Sequence, residues 1–90
     1  MHVKENIFHV NIAEAVSPVL GIRLSATKFF DKLESEQNEE VEIDFKDVEF
    51  ISRSFAHEYL KKKQIISKKI HEVNLPQNVE EMLEVVMSSK

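Results

Sequence analysis

The chain of 90 residues contains no cysteine and no tryptophan, and its backbone punctuation is reduced to one glycine, Gly21, and two prolines, Pro18 and Pro76. Without cysteine there is no disulfide, no thiolate ligand and no thiol nucleophile, so stability has to come from packing alone, which suits a reducing cytoplasm. One glycine excludes the phosphate cradles of nucleotide and dinucleotide loops, because these need several glycines at fixed spacing for close backbone approach. Long apolar runs are missing as well. No segment nears the roughly 18 apolar residues of a membrane span, and "MHVKENIF" lacks the apolar stretch of a secretory leader. The expectation is a soluble, cytoplasmic protein in which residues 1–90 form one domain with a modest core, small folds burying a smaller share of their surface.

Charge is plentiful. Twelve basic and sixteen acidic residues leave a net charge of −4, which opposes nonspecific attraction to nucleic acid or anionic lipid. The basic residues concentrate at Lys61, Lys62, Lys63, Lys68 and Lys69. No aromatic residues interleave them and no helix rich in Arg and Asn accompanies them, so they read as a solvated helix end and no nucleic-acid partner is expected. Glu34, Glu36, Glu39, Glu40 and Glu42 read as a solvated acidic loop. His2, His9, His57 and His71 are too scattered for a metal site, and neither metal nor cofactor is expected.

Periodicity orders the chain as β-α-β-α-β-α. "IFHVNI" alternates Phe8, Val10 and Ile12 against His9 and Asn11, as in a strand. "AEAVSPVLGIR" reads as a connection or a short irregular strand, given Pro18 and Gly21. Ser25 is placed to cap a first helix in which Ala26, Phe29, Phe30 and Leu33 make one apolar stripe. "VEIDFKD" alternates Val41, Ile43 and Phe45 with Glu42, Asp44 and Lys46. A strand covered on both faces would be apolar throughout, so one sheet is predicted with helices on one face and water on the other. A second helix starts between Ser52 and Ser54 and runs to about Ser67, "KIHEVNL" is a third strand, and Asn78 and Glu81 have the spacing of a capping box for a last helix striped by Val79, Met82, Leu83 and Val86. This predicts a small α/β sandwich with mostly parallel pairing and helices on one face.

The stretch "VEIDFKDVEFISRSFAHEYL", residues 41–60, switches from strand to helix spacing at Ser52 and Ser54. Read as chemistry, Ser54, His57 and Glu58 share a helix face but do not put a base between nucleophile and orienter, so no catalytic residue is assigned. The same stretch resembles the strand–loop–helix core of STAS domains, the group that includes the anti-sigma-factor antagonists. Asp44 falls on their strand aspartate, Val48, Phe50 and Ile51 on their apolar positions, and Ser54 on the serine that serves as phosphoacceptor. The resemblance is closer to STAS-like domains of unknown function, with Asp44, Phe45, Ser52, Ser54, Phe55, Ala56 and Glu58 in matching places and Arg23 in a similar first-helix entry. It covers about residues 20–86. Two departures from the antagonists stand out: Ser52 replaces an aspartate and Phe55 a glycine.

The resemblance implies a noncatalytic regulatory module that binds a protein partner, such as a kinase-like ATPase or a regulator controlled by one. The partner surface would comprise Ser52, Arg53, Ser54, Phe55, Glu58 and Arg23, with Ser54 as candidate phosphoacceptor. Two alternatives stay open at this point. Ser52 and Ser54 could serve only as helix caps, worth about 1 kcal/mol, and the chain could be a constitutive structural or oligomerisation subunit without a switch.

Overall fold

Alternation in the central strand sets the architecture. In the computed structural model, which describes residues 7–88, the chain runs β1 (Ile7–Asn11), α1 (Ile12–Ala15), β2 (Val19–Leu20), α2 (Arg23–Glu34), β3 (Glu40–Asp44), β4 (Phe50–Ile51), α3 (Arg53–Ile65), β5 (Lys69–Val73) and α4 (Gln77–Ser88). His2 and the reading of the first residues as lacking a leader lie outside the described residues. The pairing is parallel throughout, in a three-stranded sheet of order β1-β3-β5 and a separate two-stranded sheet, β2-β4. The single sheet expected from periodicity is thus two. The interruption between β3 and β4 explains it: Val48 N–H donates to the Phe45 carbonyl (3.1 Å), and Asp47 adopts a left-handed φ of 72° that turns the chain out of the first sheet.

Register makes the sheet one-sided. Phe8, Val41 and Ile70 form one row, Val10, Ile43 and Glu72 another, and both face the helices. Val41 and Ile43 have no exposed surface. The opposite face carries Glu40, Glu42 and Asp44, each half-buried, and two imidazole–carboxylate contacts, His9 Nδ1 with Glu42 (3.0 Å) and His71 Nε2 with Glu40 (3.1 Å). The exception on the covered face is Glu72, which sits on the edge strand β5. It accepts a hydrogen bond from the Tyr59 hydroxyl and pairs with Lys63 Nζ at 3.1 Å. Burial, together with that neighbouring carboxylate, raises the Tyr59 hydroxyl well above its ordinary pKa, so it remains a donor.

An aromatic cluster fills the space between sheet and helices. Tyr59 packs edge-on to Phe30 (centroids 5.2 Å apart) and Phe45 (5.8 Å) and stacks with Phe55 (6.5 Å). The helix α3 therefore occupies the middle of the covering layer, between α2 and α4. Several boundaries differ from the periodicity. Ile12, expected on the first strand, begins α1 because the Asn11 side chain accepts from Glu14 N–H (2.8 Å) and caps a helical turn there. The second helix expected to reach about Ser67 ends at Ile65, with Ile66 extended. Asn78 caps nothing: α4 starts one residue earlier, the Pro76 carbonyl takes Val79 N–H and Glu80 N–H, and Asn78 donates instead to the Glu49 carbonyl (3.1 Å).

Candidate functional site at the start of the third helix

Two parallel strands here run directly into two helices. In the β2-β4 pair, Val19 aligns with Phe50 and Leu20 with Ile51. Leu20 and Ile51 point into the core, and each strand reaches its helix within two residues. The ladder continues past the strands, Ser52 N–H donating to the Leu20 carbonyl at 2.8 Å. As a result α2 and α3 begin side by side, with Arg23 and Arg53 as their first residues. Neither first turn contains an acidic side chain.

Ser52 is the cap of α3. Its Oγ accepts from Phe55 N–H (3.0 Å) and donates to the Gly21 carbonyl (3.0 Å), so one hydroxyl both satisfies a free helix N–H and ties the two strand ends together. The other cap expected from sequence is not formed. Ser25 lies inside α2, whose N-cap is Ile22 and has no side-chain hydrogen bond; Ser25 N–H instead donates to the Ile22 carbonyl at 3.0 Å. Ser54, two residues past the cap, is exposed, and among the described residues its hydroxyl has no hydrogen-bond partner. It borders a shallow depression of about 200 Å³ lined by Arg23, Arg53, Ser54 and His57.

Behind this surface lies the one buried charged residue among those described, Glu58. Its Oε1 accepts from Arg23 Nη1 (3.0 Å) and its Oε2 from Thr27 Oγ1 (3.1 Å). Burial pushes this carboxyl upward, but the hydrogen bonds from Thr27 and Arg23, with the charges of Lys61 and Arg23, outweigh it and hold the group below its ordinary value. Glu58 is therefore an ionised anchor that fixes the start of α2 against α3. With both oxygens engaged by Arg23 and Thr27 it does not orient His57, so Ser54, His57 and Glu58 form no relay.

The residues expected at a partner surface divide accordingly. Arg23, Arg53 and Ser54 come together at the depression, whereas Ser52, engaged as the cap of α3, does not line it. Phe55 and Glu58 are buried and cannot touch a partner directly; Phe55 has no exposed surface and packs on Tyr59. Thr27 and the placement of His57 at the depression went unread in the sequence. Thr27 had a signal, its i+4 spacing from Arg23, which is hidden when the helix is started at Ser25. The lysines that looked like one basic cluster are dispersed: Lys63 pairs with Glu72, and Lys68 donates to the carbonyls of Glu36 (2.7 Å) and Asn38.

Two other places deserve comparison. A larger depression of about 310 Å³, lined by Ala15, Val16, Ser25, Lys28, Phe29 and Lys32, lies on the opposite side of α2 and brings no acid–base set together. At the C-terminal ends of the strands, Asp44 Oδ1 accepts from Asn74 Nδ2 (3.0 Å) and Lys46 N–H (2.9 Å). These bonds, led by Asn74, hold the Asp44 carboxyl below its ordinary value and lock the loops. Among the described residues the strand order β1-β3-β5 advances in one direction, without the switch point that opens a ligand crevice in larger α/β sheets. Among the described residues no group of three or more His, Cys, Asp or Glu could hold a metal, and no helix is long and apolar enough to cross a membrane.

Residues 25–80 match the family described as a STAS-like domain of unknown function. No curated protein and no solved structure matches the chain.

Proposed function

The chain belongs to the STAS-like domains of unknown function, and from that premise we propose that it is a noncatalytic, cytoplasmic regulatory module that binds a protein partner at the start of α3 and is switched by phosphorylation of Ser54. The observation that carries this reading is the division of labour between the two serines. Ser52 does the capping, which leaves the exposed Ser54 hydroxyl free for chemistry beside Arg23 and Arg53. The partner class implied by the anti-sigma-factor antagonists is a kinase-like ATPase or a regulator under its control.

In the phosphorylation step, Ser54 Oγ attacks the γ-phosphorus of a nucleoside triphosphate held by the kinase. The bond to the nucleoside diphosphate breaks, and the hydroxyl proton passes to a base of the kinase or to solvent. The product places about two negative charges at a helix start, where the dipole and the arginines tolerate them. In a packed interface the same charges cost desolvation and expel the partner. The buried Phe55 supports this role from below by holding the first turn rigid.

Peptide mapping by mass spectrometry of the chain isolated from its native cells, with partner affinity measured on both forms, tests the proposal. Phosphate on Ser54 and weaker binding of the phosphorylated form are expected. Absence of phosphate under every growth condition, or equal affinity of the two forms, removes the switch and leaves a constitutive subunit.

A further inference from the structure

Ser25, Lys28, Phe29 and Lys32 follow the spacing i, i+3, i+4, i+7, so they stand in one row along α2. With Ala15 and Val16 at the end of α1 they line the depression of about 310 Å³. Its lining is of two kinds. Buried Phe29 and half-buried Val16 supply an apolar wall, and exposed Lys28 and Lys32 supply charge. The lysines differ from an ordinary solvated helix face in two respects. They are like charges one turn apart, an arrangement that weakens a helix, and among the described residues neither forms an ion pair or a side-chain hydrogen bond. Lys63 and Lys68, by contrast, are both engaged. The helix dipole accounts for Lys32 in the last turn of α2, but not for Lys28 in its middle. The half-buried Ser25 also has a hydroxyl without a hydrogen-bond partner among the described residues, and no acidic side chain lines the depression.

We infer that this depression is a binding site for a small amphipathic carboxylate, with the carboxylate held by Lys28, Lys32 and the Ser25 hydroxyl and the apolar body lying against Phe29 and Val16. Charge complementarity selects an anion. The two lysines are unpaired, and the overall charge of −4 disfavours anions over the rest of the surface. Phe29 and Val16 favour an occupant with an apolar body, which gains from burial where a bare ion does not. Size narrows the class further, since about 310 Å³ lies at the low end of the roughly 300–1,000 Å³ of small-molecule sites. The donor set favours a carboxylate over a phosphate. Phosphate is cradled by free N–H groups at a helix start, and here the Ser25 N–H is already taken by the Ile22 carbonyl. The site shares no residue with the depression at Arg23, Arg53, Ser54 and His57, so the inference goes beyond the phospho-switch and stands or falls without it.

The test is an NMR titration of the intact protein with phenylpropionate, compared with its neutral amide, acetate and inorganic phosphate. Phenylpropionate is expected to give saturable shifts in the amide resonances of residues 15–16 and 25–32, with a Kd of about 1 mM or below. The neutral amide, which lacks the charge, and acetate, which lacks the apolar body, should each bind about tenfold more weakly. The double variant Lys28→Gln, Lys32→Gln should also bind phenylpropionate about tenfold more weakly. Its thermal midpoint should stay at or above that of wild type, because the like-charge repulsion is gone. If the double variant fails to fold, Lys28→Gln alone replaces it, with a severalfold loss expected. No saturation, shifts confined to other residues, equal affinity for the acid and its amide, or affinity unchanged by the lysine substitutions would overturn the inference. Acetate or phosphate binding as tightly as phenylpropionate would reduce the site to a patch of positive charge and overturn the amphipathic class.

Discussion

Ser52 and Ser54 are separated by one residue and differ in what their hydroxyls touch. Ser52→Ala removes an acceptor for Phe55 N–H and a donor to the Gly21 carbonyl, and should cost about 0.5–2 kcal/mol, read as a lower midpoint in urea. Ser54→Ala removes no such bond and should leave the midpoint within about 0.5 kcal/mol of wild type. Equal losses for the two variants would show that Ser54 shares the capping. Ser54→Asp should also fold as wild type, since a carboxylate suits a helix start, while weakening partner binding in a titration. Glu58 makes a third prediction at this scale. Its carboxyl is held low by Thr27 and Arg23 against the opposing effect of burial, so Arg23→Ala should raise its titration midpoint, followed by carbon NMR of the side chain. An unmoved midpoint would mean that Arg23 contributes nothing to the anchor.

At the scale of elements, the placing of α3 explains why one helix can serve both core and surface. Its inward face carries Phe55, Ala56, Tyr59 and Leu60, all buried, while Arg53, Ser54 and His57 face solvent at its start. The first turn is therefore pinned from below by apolar packing and at its end by Ser52, which keeps the exposed side chains in fixed relation to Arg23. The C-terminal helix α4 completes the layer by burying Val79, Leu83 and Val86. Leu83→Ala should cost about 2–5 kcal/mol through lost burial and a residual cavity, a large part of the stability expected for a domain of this size. A denaturation midpoint near wild type would mean that α4 packs loosely and that the layer is closed by α2 and α3 alone.

For the whole molecule, the shifted groups set the pH limits of stability. The carboxyls of Asp44 and Glu58 are held below their ordinary values of 3.8 and 4.5. Each therefore contributes stability that is fully present above the ordinary value and is lost as pH falls through the lower folded value. Tyr59 is raised well above 10.0, first by burial; its contribution is present below the ordinary value and is lost as pH rises through the folded one. Urea midpoints measured across pH should thus be flat near neutrality and fall at both ends. Glu58→Gln should flatten the acid limb, and Tyr59→Phe should flatten the alkaline limb. An acid limb unchanged by Glu58→Gln would show that its carboxyl is equally easy to protonate in the unfolded chain.

Much of this organisation is legible in the order of residues alone. The alternation of Val41, Ile43 and Phe45 with charged residues specifies a half-covered strand, the stripe of Ala26, Phe29, Phe30 and Leu33 specifies a helix face, and the change of period at residues 52–54 locates the start of α3, because side-chain direction follows from local backbone geometry. The match of residues 41–60 to STAS-like domains belongs with these, being a property of residue order. The small elements were legible only in part. The segment holding β2 was open as a connection or a short irregular strand; α1 and β4 are too short to show a period, and β2 and β4 pair with each other alone. Local propensity also misplaced the caps: Ser25 and Asn78 are good capping residues, yet the strand before α2 delivers the chain at Arg23, and Asn78 is drawn to the Glu49 carbonyl by packing of α4 beside β4. What the sequence by itself determined is thus the alternation of layers and the place of the functional stretch within them. Only the tertiary structure decided that Phe55 and Glu58 turn inward and that Arg23 stands beside Arg53 and Ser54, because the contacts of Glu58 with Thr27 and Arg23 join residues 31 and 35 apart and no local pattern encodes a distance between them.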